Sequence, residues 1–183
     1  MKQYTNMAIL QSFEHLLEDQ AFDKITVSAL IRDCGISRNT FYYHFKDVYD
    51  LLEAWLSQQL GRHLQNGSGL SLQEGTKALL HACVEKKRVI YNILNSLSRD
   101  QLERYLFNSP NDYIISYVRG EAEGRSVRET DVKELADFCR FAFAGYFLRF
   151  VWNDMQDDID STVDKLGALF SEFVTQALDK AEH

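Results

Sequence analysis

The chain has 183 residues, 45 % apolar and 26 % charged, which suits a packed globular protein and excludes a fibrous or largely disordered one. One proline, Pro110, and nine glycines argue against a turn-rich sandwich or barrel and for long helices. The net charge of −7 speaks globally against a nucleic-acid binder, but from Cys34 to Lys46 the chain carries Arg38, His44 and Lys46 and no acid.

In chain order, the segment from Thr5 to Glu18 places Ile9, Phe13, Leu16 and Leu17 on one helical face. Phe22 and Ile25 anchor the connection that follows. Thr26 is a good N-cap for a short helix to about Asp33, with Val27, Leu30 and Ile31 as its apolar face. Gly35 stands where a helix end favours a left-handed residue. Ser37 caps a helix from Arg38 to His44. Asp47 caps another from about Val48 to His63, with Leu51, Leu52, Trp55 and Leu60 inward.

Asn66-Gly67-Ser68-Gly69 reads as a loop between helices. Further helices are expected at about 72–84, 86–97, 99–107, 110–122, 131–153 and 162–180. Ser109, Thr130 and Ser161 are expected caps, with Pro110 at the first helical position. The fold class is therefore all-α.

No apolar run reaches the roughly 18–20 residues needed to cross a bilayer, and the N-terminus lacks a signal-peptide pattern. A cytoplasmic protein without membrane contact is expected. Cys34, Cys83 and Cys139 fit neither a disulfide framework nor a metal knuckle. His15, His63 and His81 lack ligand-spaced partners. The acids Asp154, Asp157, Asp158, Asp160 and Asp164 lack the glycine and terminal glutamate of a calcium loop and read as a helix-capping turn. No nucleophile motif or glycine-rich phosphate loop occurs. Neither a metal, nor a cofactor, nor an enzymatic activity is expected.

Function concentrates at Thr26 to Phe45, where two short helices joined at Gly35 form a helix-turn-helix candidate. At 100° per residue Phe41 and Phe45 share one face, with Ile36 at its entry. Asn39 and Tyr43 lie about 160° from Phe41, flanked by Thr40 and Tyr42. The outward surface is then Arg38, Asn39, Thr40, Tyr42, Tyr43 and His44. Each can donate a hydrogen bond and none is acidic, as base edges and phosphates in a major groove require.

The run from Thr26 to Asp47 resembles the DNA-binding domain of TetR-type transcriptional regulators. It has a Thr-Val opening, a Gly-Ile-Ser turn and Thr40-Phe41-Tyr42-Tyr43-His44-Phe45-Lys46. With the preceding helix the resemblance covers residues 5–55. It departs from the usual pattern at Ile31 and Cys34, where alanine is common, and at Asn39, where glycine is common. The resemblance implies phosphate contacts from Thr26, Tyr42, His44 and Lys46, with the helix start at Ser37. It implies base readout by Arg38, Asn39, Thr40 and Tyr43. It further implies a domain boundary after residue 47, with a three-helix DNA-binding domain at 1–47 and a helical regulatory and dimerisation bundle at 48–183.

The segment 135–151 is apolar almost all round, so two of its sides should be covered, one by the core and one by a dimer partner. Ala142, Ala144 and Gly145 permit close helix approach. Val163, Leu166, Leu169, Phe170, Phe173, Val174 and Leu178 serve the same bundle from the last helix. The run Tyr91–Asn95 with Leu102–Phe107 resembles a TetR subgroup that includes activators of dihydroxyacetone-kinase operons. Candidate effector contacts are polar groups on otherwise apolar helices: His63, His81, Tyr105, Arg140 and Tyr146, with Arg149 beside them. The expectation is a homodimeric repressor on palindromic double-stranded DNA, controlled by a small-molecule effector. The alternative is control by a partner protein, with activation in place of repression.

Overall fold

The computed structural model describes residues 2–64, 71–108 and 110–182. Among them are α-helices, one 3-10 turn at Phe22–Lys24 and no strand. The helices are α1 (Lys2–Asp19), α2 (Val27–Cys34), α3 (Arg38–His44), α4 (Val48–Leu64), α5 (Leu72–Glu85), α6 (Lys87–Leu94), α7 (Arg99–Asn108), α8 (Asn111–Glu121), α9 (Glu129–Trp152) and α10 (Ile159–Ala181). The expected loop at Asn66–Gly69 and the expected cap at Ser109 lie outside the described residues. No helix is long and apolar enough to cross a membrane among the described residues.

The chain divides into two compact units. The first comprises residues 1–59 and 85–105. Its core is a single cluster in which Ile9, Phe13 and Leu17 of α1 meet Leu30 of α2, Phe41 of α3, and Leu51, Leu52 and Trp55 of α4. Val89 and Ile93 of α6 complete it. Polar groups tie the same helices together. The Trp55 indole N–H donates to Glu14 Oε2 at 2.9 Å, and Lys86 pairs with the other oxygen of Glu14. Asn92 Nδ2 donates to the Leu17 carbonyl at 2.8 Å. The sequence places α6 far from α1, yet α6 is part of the floor on which the N-terminal helices rest.

The second unit comprises residues 60–84 and 106–183. Ile114 and Val118 of α8 pack with Val132, Ala136 and Cys139 of α9 and with Val174 and Leu178 of α10. Ser71 and Glu74 form a reciprocal capping box at the start of α5. The Ser71 N–H donates to Glu74 Oε2 at 2.7 Å, and the Glu74 N–H donates to Ser71 Oγ at 3.2 Å. The Ser71 N–H and the Ser71 hydroxyl, both donating to Glu74 Oε2, hold the Glu74 carboxyl below its usual pKa.

Several expected boundaries are corrected. α9 starts at Glu129, so Thr130 is inside the helix and Arg128 is the cap residue, its guanidinium held by Asp131. α10 starts at Ile159, and Asp158, not Ser161, accepts the capping N–H, that of Ser161. Asp and Ser are both good caps, and the residue three positions upstream won because its carboxylate is the stronger acceptor. Pro110 sits just before α8 and not at its first helical position. α6 stops at Leu94, three residues earlier than expected.

The turn between α9 and α10 is unusual. Asp154 and Met155 both have positive φ, 55° and 56°. Such a conformation disfavours side chains with a Cβ. The Met155 N–H donates to the Phe150 carbonyl, and Met155 is buried. Asp157 accepts from Arg149 and from Asn153. The acidic cluster thus closes a helix connection, with Asp158 capping and Asp157 clamping.

Candidate nucleic-acid interface

The helix-turn-helix is built by three local devices. Thr26 is extended and its hydroxyl accepts the Ala29 N–H at 3.1 Å, opening α2. Gly35 then takes the left-handed conformation, φ 66° and ψ 30°, and both its N–H and that of Ile36 turn back to the Ile31 carbonyl. Ser37 accepts the Thr40 N–H at 3.1 Å and opens α3. The three residues Gly35, Ile36 and Ser37 therefore set the angle between the two helices.

The orientation of α3 follows from its aromatics. Phe41 is fully buried and Phe45 nearly so, with Ile36 packed against the same core. The opposite side consequently faces solvent. Arg38, Asn39, Tyr42 and Tyr43 are exposed, Tyr43 at 67 %, and Thr40 and His44 are half-buried. Thr26, Ser37 and Lys46 are exposed around them. All nine residues expected to meet DNA thus lie on or beside one short surface.

Two acids, Asp47 and Asp50, follow this surface at the start of α4. Asp47 Oδ1 accepts the N–H groups of Tyr49 and Asp50 at 2.8 and 2.9 Å, capping α4. Asp50 Oδ2 accepts the Lys46 N–H at 2.9 Å. One oxygen of each carboxylate is thus engaged by backbone donors at the start of α4.

One functional neighbour is absent from the sequence reading. The Arg38 guanidinium donates to the Ser28 hydroxyl at 2.9 Å, bridging α3 to α2. This aims Arg38 before any ligand arrives. A ten-residue separation across a turn has no periodic signature, so only the fold reveals the pair.

The second unit holds a cavity of about 510 Å³ between α5, α8, α9 and α10. Tyr146 lines it. The other polar residues expected at an effector site are elsewhere. His81 faces Asp160 at 3.5 Å. Arg140 donates to Asp137 at 2.7 Å and lies over the Phe141 ring. Tyr105 belongs to the first unit, donates to the Tyr49 carbonyl at 3.2 Å, and is pushed by burial up to about 12 in pKa. His63 is half-buried near the end of α4, and its carbonyl lies so close to Gly75 that a Cβ there would come within 2.4 Å. Arg149 stacks over Tyr146 and pairs with Asp157. A polar residue on an apolar helix does not reveal which neighbour it will meet.

The family model described as "Bacterial regulatory proteins, tetR family" matches residues 9–55. The model described as "Transcriptional regulator C-terminal region" matches residues 71–172. The chain belongs to the TetR family of bacterial regulatory proteins, a family of DNA-binding transcriptional regulators and not of enzymes. Solved structures share the fold over nearly the whole chain. One is described as the dihydroxyacetone kinase operon activator DhaS, at 16 % identity, covering 98 % of both chains with a TM-score of 0.59. Another is a TetR transcriptional regulator from Streptococcus agalactiae 2603V, at 22 % identity, covering 94 % of each chain with a TM-score of 0.58. A third is the TetR family repressor AlkX from Dietzia sp. strain DQ12-45-1b, described as implicated in biodegradation of n-alkanes. It is 14 % identical and covers 93 % of this chain and 98 % of its own, with a TM-score of 0.60. No curated protein matches the sequence.

Proposed function

We propose that this chain is a cytoplasmic repressor that binds a near-palindromic operator as a homodimer and is released when an effector enters its C-terminal domain. Residues 1–47 are the DNA-binding domain, and residues 48–183 serve regulation and dimerisation. The observation that carries the DNA reading is α3, whose outward side chains can all donate hydrogen bonds and include no acid, while Phe41 and Phe45 hold its inward side. Arg38, Asn39, Thr40 and Tyr43 read base edges. Thr26, Tyr42, His44 and Lys46, with the helix start at Ser37, meet phosphates. Two such helices on a two-fold axis reach successive major grooves about 34–36 Å apart, so a shift of a few ångströms loses register.

Control by a small molecule is supported by the cavity in the second unit, because an aromatic-rich bundle packed solid would offer no site. An effector acts here through its differential affinity for the DNA-bound and released states. The test is binding of the dimer to its own promoter DNA at two salt concentrations. A sequence-selective complex that weakens with salt is expected. A folded dimer with no selective complex even at low salt overturns the reading.

A further inference from the structure

Ser28 and Arg38 lie on either side of the Gly35 turn. Ser28 is in the first turn of α2, and Arg38 is the first residue of α3. Both are exposed, and Arg38 Nη2 donates to the Ser28 hydroxyl at 2.9 Å. Thr26 caps α2 through the Ala29 N–H, and Ser37 caps α3 through the Thr40 N–H, so the backbone is fixed at both ends of this bond. A serine hydroxyl sits on one staggered rotor and follows its backbone closely. Ser28 is therefore a short, firm anchor for a long side chain.

The kind of acceptor matters. Arg99, Arg119, Arg125, Arg128, Arg140 and Arg149 each pair with a carboxylate. The acceptor for Arg38 is a neutral hydroxyl, and no carboxylate among the described residues pairs with it. The first turns of α2 and α3 contain no acid, and Asp33, in the last turn of α2, accepts from Ser12 of α1. Arg38 is thus held in place by a partner that leaves its charge intact.

The bond also leaves a complete reading edge on the guanidinium. This group has two parallel N–H pairs, one from Nε and Nη2 and the other from Nη1 and Nη2. Nη2 contributes one hydrogen to each. Whichever hydrogen goes to Ser28, the other pair stays whole. Two parallel donors match two adjacent acceptors. In the major groove guanine presents O6 and N7 side by side, whereas adenine presents one acceptor beside a donor, and neither pyrimidine presents a second acceptor.

We infer that Ser28 is a positioning residue for Arg38, and that Arg38, so held, reads a guanine in each half-site with its remaining N–H pair. This rests on reading α3 as the helix that enters the major groove. Ser28 acts through Arg38 and not on the DNA itself. A free arginine must be ordered on binding, at a cost of about three- to tenfold in affinity, and the bond orders it beforehand. A free guanidinium can also swing to a phosphate, a contact that carries no sequence information. Ser28 therefore adds selectivity as well as affinity.

The test uses the full chain and a pool of double-stranded DNA randomised across the site. The parent is expected to select sites with a guanine in each half-site whose exchange for adenine weakens binding at least about tenfold. In Arg38→Ala the same exchange should change binding less than about twofold. Replacing that guanine by 7-deazaguanine, which lacks the N7 acceptor, should weaken the parent and not Arg38→Ala. Ser28→Ala is expected to keep the circular dichroism and melting of the parent and its affinity for random-sequence DNA. Its preference for that guanine should fall about three- to tenfold, and Ser28→Thr, which keeps the hydroxyl, should restore it. The double variant should behave as Arg38→Ala alone. Arg38→Ala with every base preference intact, or with a lost preference for a base other than guanine, overturns the readout by Arg38. Ser28→Ala with the parent's selectivity overturns the positioning role. So does a Ser28→Ala loss that is equal on selected and random DNA, or that adds to the loss of Arg38→Ala, because Ser28 would then meet the DNA itself. A folded parent that selects no sequence overturns the reading of α3 on which the inference rests.

Discussion

The two units of this chain treat their phenylalanines and tryptophans differently. In the first, Phe13, Phe22, Phe41, Phe45 and Trp55 are all buried in one cluster. In the second, Phe138, Phe141, Trp152 and Phe173 remain exposed, and others line a cavity. The contrast follows from what each must do. A seven-residue helix cannot hold its own shape in water, so α3 needs a filled core beneath it to keep its donors fixed. The second unit is not self-sufficient in the same sense. Its longest helices carry apolar surface on the side away from their own core.

The two tryptophans measure this difference directly. Trp55 is 1 % exposed and Trp152 is 79 % exposed. Trp55→Ala is expected to cost about 3–5 kcal/mol in urea unfolding, because it opens a cavity and removes one donor from the Glu14 carboxylate. Trp152→Ala, which opens no cavity within the chain, should change the stability of the single chain by no more than about 0.5 kcal/mol. Equal losses at the two positions would break the comparison.

The next effect is on DNA binding. Tyr43→Ala is expected to relax base preference by about 1–3 kcal/mol at one position of each half-site, without unfolding the domain. Lys46→Ala should weaken all sequences alike and lower the salt slope by about 1. Titrations on operator and scrambled DNA at several salt concentrations separate the two. If Lys46→Ala altered the preferred sequence while Tyr43→Ala did not, the facing of α3 would have to be reassigned.

A smaller effect is expected at Gly35. The space around it is open, so Gly35→Ala costs only the left-handed strain of a residue with a Cβ, about 1–2 kcal/mol. Thermal unfolding reads it, and a loss as large as that of Trp55→Ala would mean that the turn packs more tightly than its geometry indicates.

The smallest effect is chemical. Burial pushes the Cys139 thiol up to about 11, and Cys34, half-buried at the edge of the first core, is raised less. A thiol with a raised folded-state pKa favours the protonated form. Its contribution to stability is fully present below the unfolded value and is lost as pH rises through about 11. Iodoacetamide at pH 8 should therefore modify Cys34 well before Cys139, as peptide mapping would show. Faster labelling of Cys139 would mean that the core of the second unit opens more readily than its packing implies.

Much of the helix-turn-helix geometry was legible in the sequence because its determinants are local. Thr26, Gly35, Ser37 and Asp47 act within a few residues of themselves, and the spacing of Phe41 and Phe45 orients α3 without reference to anything distant. The all-helical class followed from the same periodicities. What depends on neighbours was not legible. That Arg38 would bond Ser28, that α6 would lie against α1 through Asn92 and Leu17, and that Asp158 would outcompete Ser161 as a cap all depend on which groups meet. The cavity is the clearest case. Tyr146 lines it, while His63, His81, Tyr105 and Arg140 do not, because helical spacing says which residues share a side but not what that side will face. The sequence by itself determined the short-range architecture, since capping and amphipathic burial act over a few residues. Only the tertiary structure decided where apolar surface stayed uncovered, since exposure is a relation between distant segments that no single segment carries.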